Sequence, residues 1–122
     1  MKFLCIVYNN EKTLKEMPRA EYQELDDISL EYDETLRNGG HYLYSNALDY
    51  SEKAATVRLK QGKAMVTDGP FAETREQVGG FILIEAKDMQ QAITLATNIP
   101  AIRLGGVEIR PIKELTHSRD QA

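Results

Sequence analysis

Two short runs, Lys2-Phe3-Leu4-Cys5-Ile6-Val7-Tyr8 and Phe81-Ile82-Leu83-Ile84, constrain this chain more than any other feature. Both are rich in strand-forming residues. In the first, Phe3, Cys5 and Val7 fall on one side and Leu4, Ile6 and Tyr8 on the other, and the second repeats the pattern. A strand with no polar side to offer water belongs inside a sheet that is covered on both faces. The two runs are therefore expected to be the central strands of one sheet.

The remaining elements are read around that centre. After Pro18, the residues Tyr22, Leu25, Ile28, Tyr32 and Leu36 recur at steps of three and four, which predicts a helix ended by Asn38-Gly39-Gly40. Residues 41–48 read as a strand. Residues 55–59 and 64–67 form the arms of a hairpin turned by Lys60-Gln61-Gly62-Lys63. Gly79-Gly80 opens the Phe81 strand. Asp88, with Gln91 three residues on, caps a second helix whose buried side would be Met89, Ala92, Ile93 and Ala96, with Pro100 beyond its end. Val107 and Ile109 alternate with Glu108 and Arg110 in a last strand.

The order β-α-β, hairpin, β-α-β predicts an α+β chain of ferredoxin-like βαββαβ type with an inserted β-hairpin. It forms one domain over residues 1–112, followed by a polar tail over 113–122 that is expected to fray. Two helices can cover only one face of the sheet. A second copy packed sheet to sheet is the economical cover for the other, so a homodimer is expected. The alternative is a hairpin folded back over that face.

Composition removes several functions. The chain has 122 residues and a formal charge of -4, with a pI near 5.2, so its surface repels phosphate backbones and no direct nucleic-acid partner is expected. No run approaches the roughly 20 apolar residues of a membrane span, and the opening run lacks a signal-peptide cleavage site. A cytoplasmic protein with no membrane partner is expected. Cys5, the lone cysteine, sits in an apolar run and reads as an inert core thiol. His41 and His117 belong to no ligand-spaced cluster, so no metal is expected. No cofactor is expected either: Gly79-Gly80 precedes a strand, whereas phosphate loops precede a helix, and the pair better suits a bend or close packing.

The stretch GKAMVTDGPFAETREQVGGFILIEA over 62–86 carries a longer signal. Val66-Thr67-Asp68-Gly69-Pro70-Phe71-Ala72-Glu73-Thr74, followed by Gly79-Gly80-Phe81, resembles the signature of the DGPF branch of the YCII-related proteins. The opening strand, the hairpin and Val107-Glu108-Ile109-Arg110-Pro111 extend the resemblance to about residues 2–112. The resemblance implies a dimeric α+β barrel. It also implies two possible lines of function. Some relatives in the broader group look like cofactor-independent enzymes with a His and Asp pair in a cleft, and DGPF members are associated with extracytoplasmic-function sigma factors. Asp68 is the residue that matches the acidic half of such a pair. The His of those relatives lies near the start of the first helix, where this chain has Met17-Pro18-Arg19-Ala20-Glu21-Tyr22.

On the residues alone, Asp68-Gly69-Pro70 is first of all turn chemistry. Glu73, Arg75 and Glu76 add charge beside it and read as a solvated turn of helix, while Phe71 reads as a core plug ahead of a ligand-stacking ring. A charged loop beside an apolar anchor also makes a pocket rim. The candidate site is therefore Asp68 as acid, base or orienting carboxylate, with Tyr8, His41, Gly69, Phe71 and Glu73 as ligand-binding residues. Tyr42, Tyr44 and Tyr50 add hydroxyls that suit a dimer interface. Two functions follow: a small-molecule site at the DGPF loop, or a regulatory module that engages a protein partner.

Overall fold

A computed structural model describes residues 1–121. Its main sheet contains β1 (Lys2–Asn10), β2 (Tyr42–Ala47), β5 (Glu76–Glu85) and β6 (Gly105–Pro111), in the order β2-β5-β1-β6. All three pairings are antiparallel. This is the strand order of a ferredoxin-like α+β fold, with the two doubly apolar runs at its centre as the sequence predicts. The hairpin, β3 (Ala55–Lys60) and β4 (Lys63–Asp68), forms a separate two-stranded sheet.

The helices α1 (Glu11–Glu16), α2 (Arg19–Asn38) and α3 (Met89–Thr97) complete the fold. Strand alternation sends Phe3, Cys5 and Val7 of β1 and Ile82 and Ile84 of β5 to one face. There they meet Leu36 of α2 and Ala92 and Ala96 of α3 in one cluster. Phe3 and Cys5 are 0% exposed and Ile84 is 1%, and each large side chain so buried stabilises the fold by about 1.5–3 kcal/mol. The Tyr32 hydroxyl donates to the Leu95 carbonyl at 2.6 Å and ties α2 to α3. Asp88 caps α3 as predicted, accepting from the Gln91 amide at 2.8 Å.

Several expectations are corrected. The stretch between β1 and Pro18, to which the sequence reading assigned no element, holds α1, capped by Asn10 accepting from the Thr13 amide and anchored by buried Leu14. On α3, Ala92 and Ala96 are buried as predicted, but Met89 and Ile93 are exposed; the buried side continues to Ile99 just past the helix, and the small residues let α3 approach the sheet. Strand β5 begins at Glu76 rather than at Gly79, since Glu76 and Gln77 pair with Asn10 and Asn9. Glu73, Arg75 and Glu76 are therefore loop and strand, not a turn of helix. Gly79 is the extra residue of a β-bulge where the register slips between Val7 and Tyr8, in line with its reading as a bend. Within one chain β1 is buried on one side only: Leu4, Ile6 and Tyr8 are half-buried. The hairpin does not fold back over them, and every residue from Lys63 to Asp68 is exposed.

Candidate functional site

The end of the sheet where β1 finishes carries two adjoining clefts, separated by the loop that joins β4 to β5. The first, about 440 Å³, lies between Ser51 and Glu52 on one side and Asp68, Gly69, Pro70, Glu73, Thr74 and Gln77 on the other. The second, about 830 Å³ and wide open, is lined by Tyr8, Asn10, Thr74, Arg75 and Glu76. Thr74 belongs to both.

Each wall is held by identifiable contacts. Gly69 has φ 109, a left-handed conformation that a Cβ would resist, and this lets the chain leave β4 sharply after Asp68. Its amide donates to the Ala54 carbonyl at 2.7 Å, and its own carbonyl accepts from the Thr56 hydroxyl at 2.9 Å, which fastens the loop to the base of the hairpin. At the loop's other end the Gln77 side-chain amide donates to the carbonyls of Ala72 at 2.8 Å and Thr74 at 3.0 Å. The far wall rests on α1. Glu11 accepts from the Ser51 amide at 2.7 Å and its hydroxyl at 2.6 Å, and Lys15 pairs with Glu52 at 2.8 Å. That pairing raises the Lys15 pKa and lowers that of Glu52. Helix α1, the element that pattern reading missed, is thus what positions half of this cleft. Its signal was the N-cap residue Asn10, with Glu11 in the first turn and Lys15 in the last.

Beside the second cleft, the Tyr8 hydroxyl donates to Glu108 Oε1 at 3.0 Å while Arg110 donates to Glu108 Oε2 at 3.1 Å. The Arg110 and Tyr8 hydrogen bonds hold the Glu108 carboxyl below its ordinary range, and the bond to Glu108 raises the Tyr8 phenol. Gly105 makes this possible: a Cβ there would collide with the Tyr8 backbone carbonyl, so only glycine allows β6 to lie this close to β1. Sequence reading gave no site role to Glu108, Arg110 or Gly105, because Tyr8, which Glu108 and Gly105 meet, lies about 100 positions away in the chain.

The predicted site residues are only partly brought together. Asp68, Gly69 and Glu73 share the smaller cleft, and Tyr8 lines its neighbour. His41 does not join them: its ring nitrogen Nδ1 lies 2.8 Å from the carbonyl of Glu85, the residue paired with Lys2 at the opposite end of β1. Phe71 is not a core plug. It is 73% exposed, with the Arg58 guanidinium 4.2 Å from its ring centroid. Cys5 is buried, and loss of solvation raises its pKa to about 11, which keeps the thiol unreactive. No group of three or more potential ligands able to hold a metal ion occurs among the described residues. No helix among them is long and apolar enough to cross a membrane.

A ferredoxin-like sheet with helices on one face and a hairpin inserted before its third core strand defines a small α+β protein with a polar cleft at one end of the sheet. The chain belongs to the YCII-related domain family, whose family model matches residues 1–116. It is 30% identical over 118 residues to an uncharacterised protein of Rhizobium meliloti, covering 92% of each chain. In fold it is similar to the 5-chloro-2-hydroxyhydroquinone dehydrochlorinase of Burkholderia phenoliruptrix, solved with 2,5-dihydroxybenzoquinone. The TM-score is 0.54 at 15% identity, over 93% of this chain and 94% of that one.

Proposed function

We propose that this protein binds a small organic molecule in the paired clefts flanking residues 69–76 and works there as a homodimer. The observation that carries the reading is the pinned loop, which sets Thr74 between a cleft lined by the carboxylates of Glu52, Asp68 and Glu73 and the cleft of Tyr8 and Arg75. Immobilising a loop before a ligand arrives lowers the cost of binding one. The dehydrochlorinase, a protein of similar fold solved with a small quinone, supports a small-molecule ligand.

Asp68 orients the ligand or exchanges a proton with it, and Tyr8 presents a phenol that Glu108 already engages. Imidazole chemistry has no support within one chain, because His41 sits at the far end of the sheet. Dimerisation is favoured by the helix-free face of the sheet, where half-buried Leu4, Ile6, Phe81 and Leu83 lie beside Tyr44, itself 53% exposed.

A thermal-shift screen against small metabolites, run on wild type and on Asp68→Asn, tests this reading. A ligand at 100 times its dissociation constant stabilises by about 2.7 kcal/mol. A hit that is lost in the variant places the ligand at the loop and justifies turnover assays. If no compound stabilises the folded protein, the cleft reading fails. The regulatory reading, with the sigma-factor association that the DGPF resemblance implies, then takes its place.

A further inference from the structure

The hairpin is amphipathic in a way its own chain does not use. Pairing of Val57 with Val66 and of Leu59 with Ala64 puts these four side chains on one face, while Arg58, Lys60 and Lys63 fall on the other with Met65. Val57, Leu59 and Val66 are 63%, 76% and 67% exposed. Among the described residues no other strand joins β3 and β4; the hydrogen bonds that hold the hairpin lie at its base, through Gly69, Ala54 and Thr56, and Phe71 meets Arg58 on its basic face. A lone two-stranded hairpin is marginal in water, and an uncovered apolar stripe of this kind marks an interaction surface.

We propose that the hairpin is an arm whose apolar face packs on a second copy of this chain, reciprocally, within a two-fold dimer. Two observations select that occupant. The chain carries a second uncovered apolar surface, the helix-free face of its sheet, which its own hairpin does not reach. Charge is complementary as well. Residues 55–68 hold three cations and one carboxylate, a charge of +2, so within a total of -4 the rest of the chain carries -6. Each arm is therefore attracted to the body of another copy. The basic face stays in water and the apolar face goes inward, which a symmetric exchange satisfies in both protomers at once.

Sedimentation velocity over a concentration series tests the arm separately from the sheet-face contact. Leu59→Lys combined with Val66→Lys should weaken dimerisation by roughly tenfold or more. Leu30→Lys, at an α2 position that is equally exposed at 66%, should leave it unchanged. Far-ultraviolet circular dichroism checks that all variants are folded. If Leu83→Arg on the sheet face dissociates the dimer while the hairpin variant associates like wild type, the arm is overturned and the sheet-face dimer stands. A wild-type chain that stays monomeric at high micromolar concentration overturns both. Should the hairpin variant misfold, a benzophenone photo-cross-linker attached to Leu59→Cys in a Cys5→Ser background, which captures whatever surface the side chain packs on, decides the matter. Cross-linking between copies by that route supports the arm and its absence removes it.

Discussion

The main sheet and the hairpin are built from similar sequence and have opposite environments. Both contain alternating apolar residues and both are closed by hydrogen-bonded ladders. Yet Phe3, Cys5 and Ile84 are sealed under α2 and α3, whereas Leu59 and Val66 face water. The difference lies in what each strand finds across from its apolar side. The sheet meets helices supplied by the same chain. The hairpin meets none, so strand pattern alone does not tell whether a segment completes a core or offers a surface.

That contrast is sharpest for truncation of the sheet. Phe3→Ala should cost about 3–5 kcal/mol in a denaturant melt, since the cavity opens in the centre of the packed layer. A loss below about 1 kcal/mol would mean the sheet is as loosely supported as the hairpin. Gly105→Ala should cost about 1–3 kcal/mol, because the new methyl meets the Tyr8 carbonyl, a backbone atom that cannot swing aside. Hydrogen exchange should then rise at the Tyr8 end of β1 before it rises in α2.

A smaller effect is expected from pH. Glu108 has a lowered pKa, so its contribution is present above the ordinary glutamate range and is lost as pH falls through the lowered value. Tyr8 has a raised pKa, so its contribution is present below the ordinary tyrosine range and is lost as pH rises through the raised value. Glu108→Gln should flatten the acid side of the stability profile, read as thermal midpoint against pH. The smallest effect belongs to the hairpin. Leu59→Ser, at concentrations low enough to keep the chain monomeric, should change stability by no more than about 0.5 kcal/mol. A larger loss under those conditions would show that the hairpin has cover within its own chain.

The fold was legible because the doubly apolar runs, the Tyr22-to-Leu36 stripe and the Asp88 cap are local signals, and each sits within a few residues of what it predicts. The site was less so. Asp68, Gly69 and Glu73 are neighbours in sequence and remained neighbours in space. Ser51 and Glu52 reach the same cleft held by Glu11 and Lys15 of α1, and six residues give too short a period to announce that helix. Glu108 read as the polar side of the last strand; its partner Tyr8 is brought to it by register, which no local pattern encodes. Phe71 was misread because an aromatic ring in a loop usually finds a core, and here it found the guanidinium of Arg58.

The loop between Asp68 and Glu76 joins two separate ladders, the hairpin and the main sheet. One jaw of the smaller cleft, at Gln77, is welded to the sheet, while Asp68 rides at the root of a projecting lever. The smaller cleft is thus lined from two separate hydrogen-bonded ladders, and the far end of the hairpin, where Lys60 pairs with Lys63, belongs to the same ladder as Asp68.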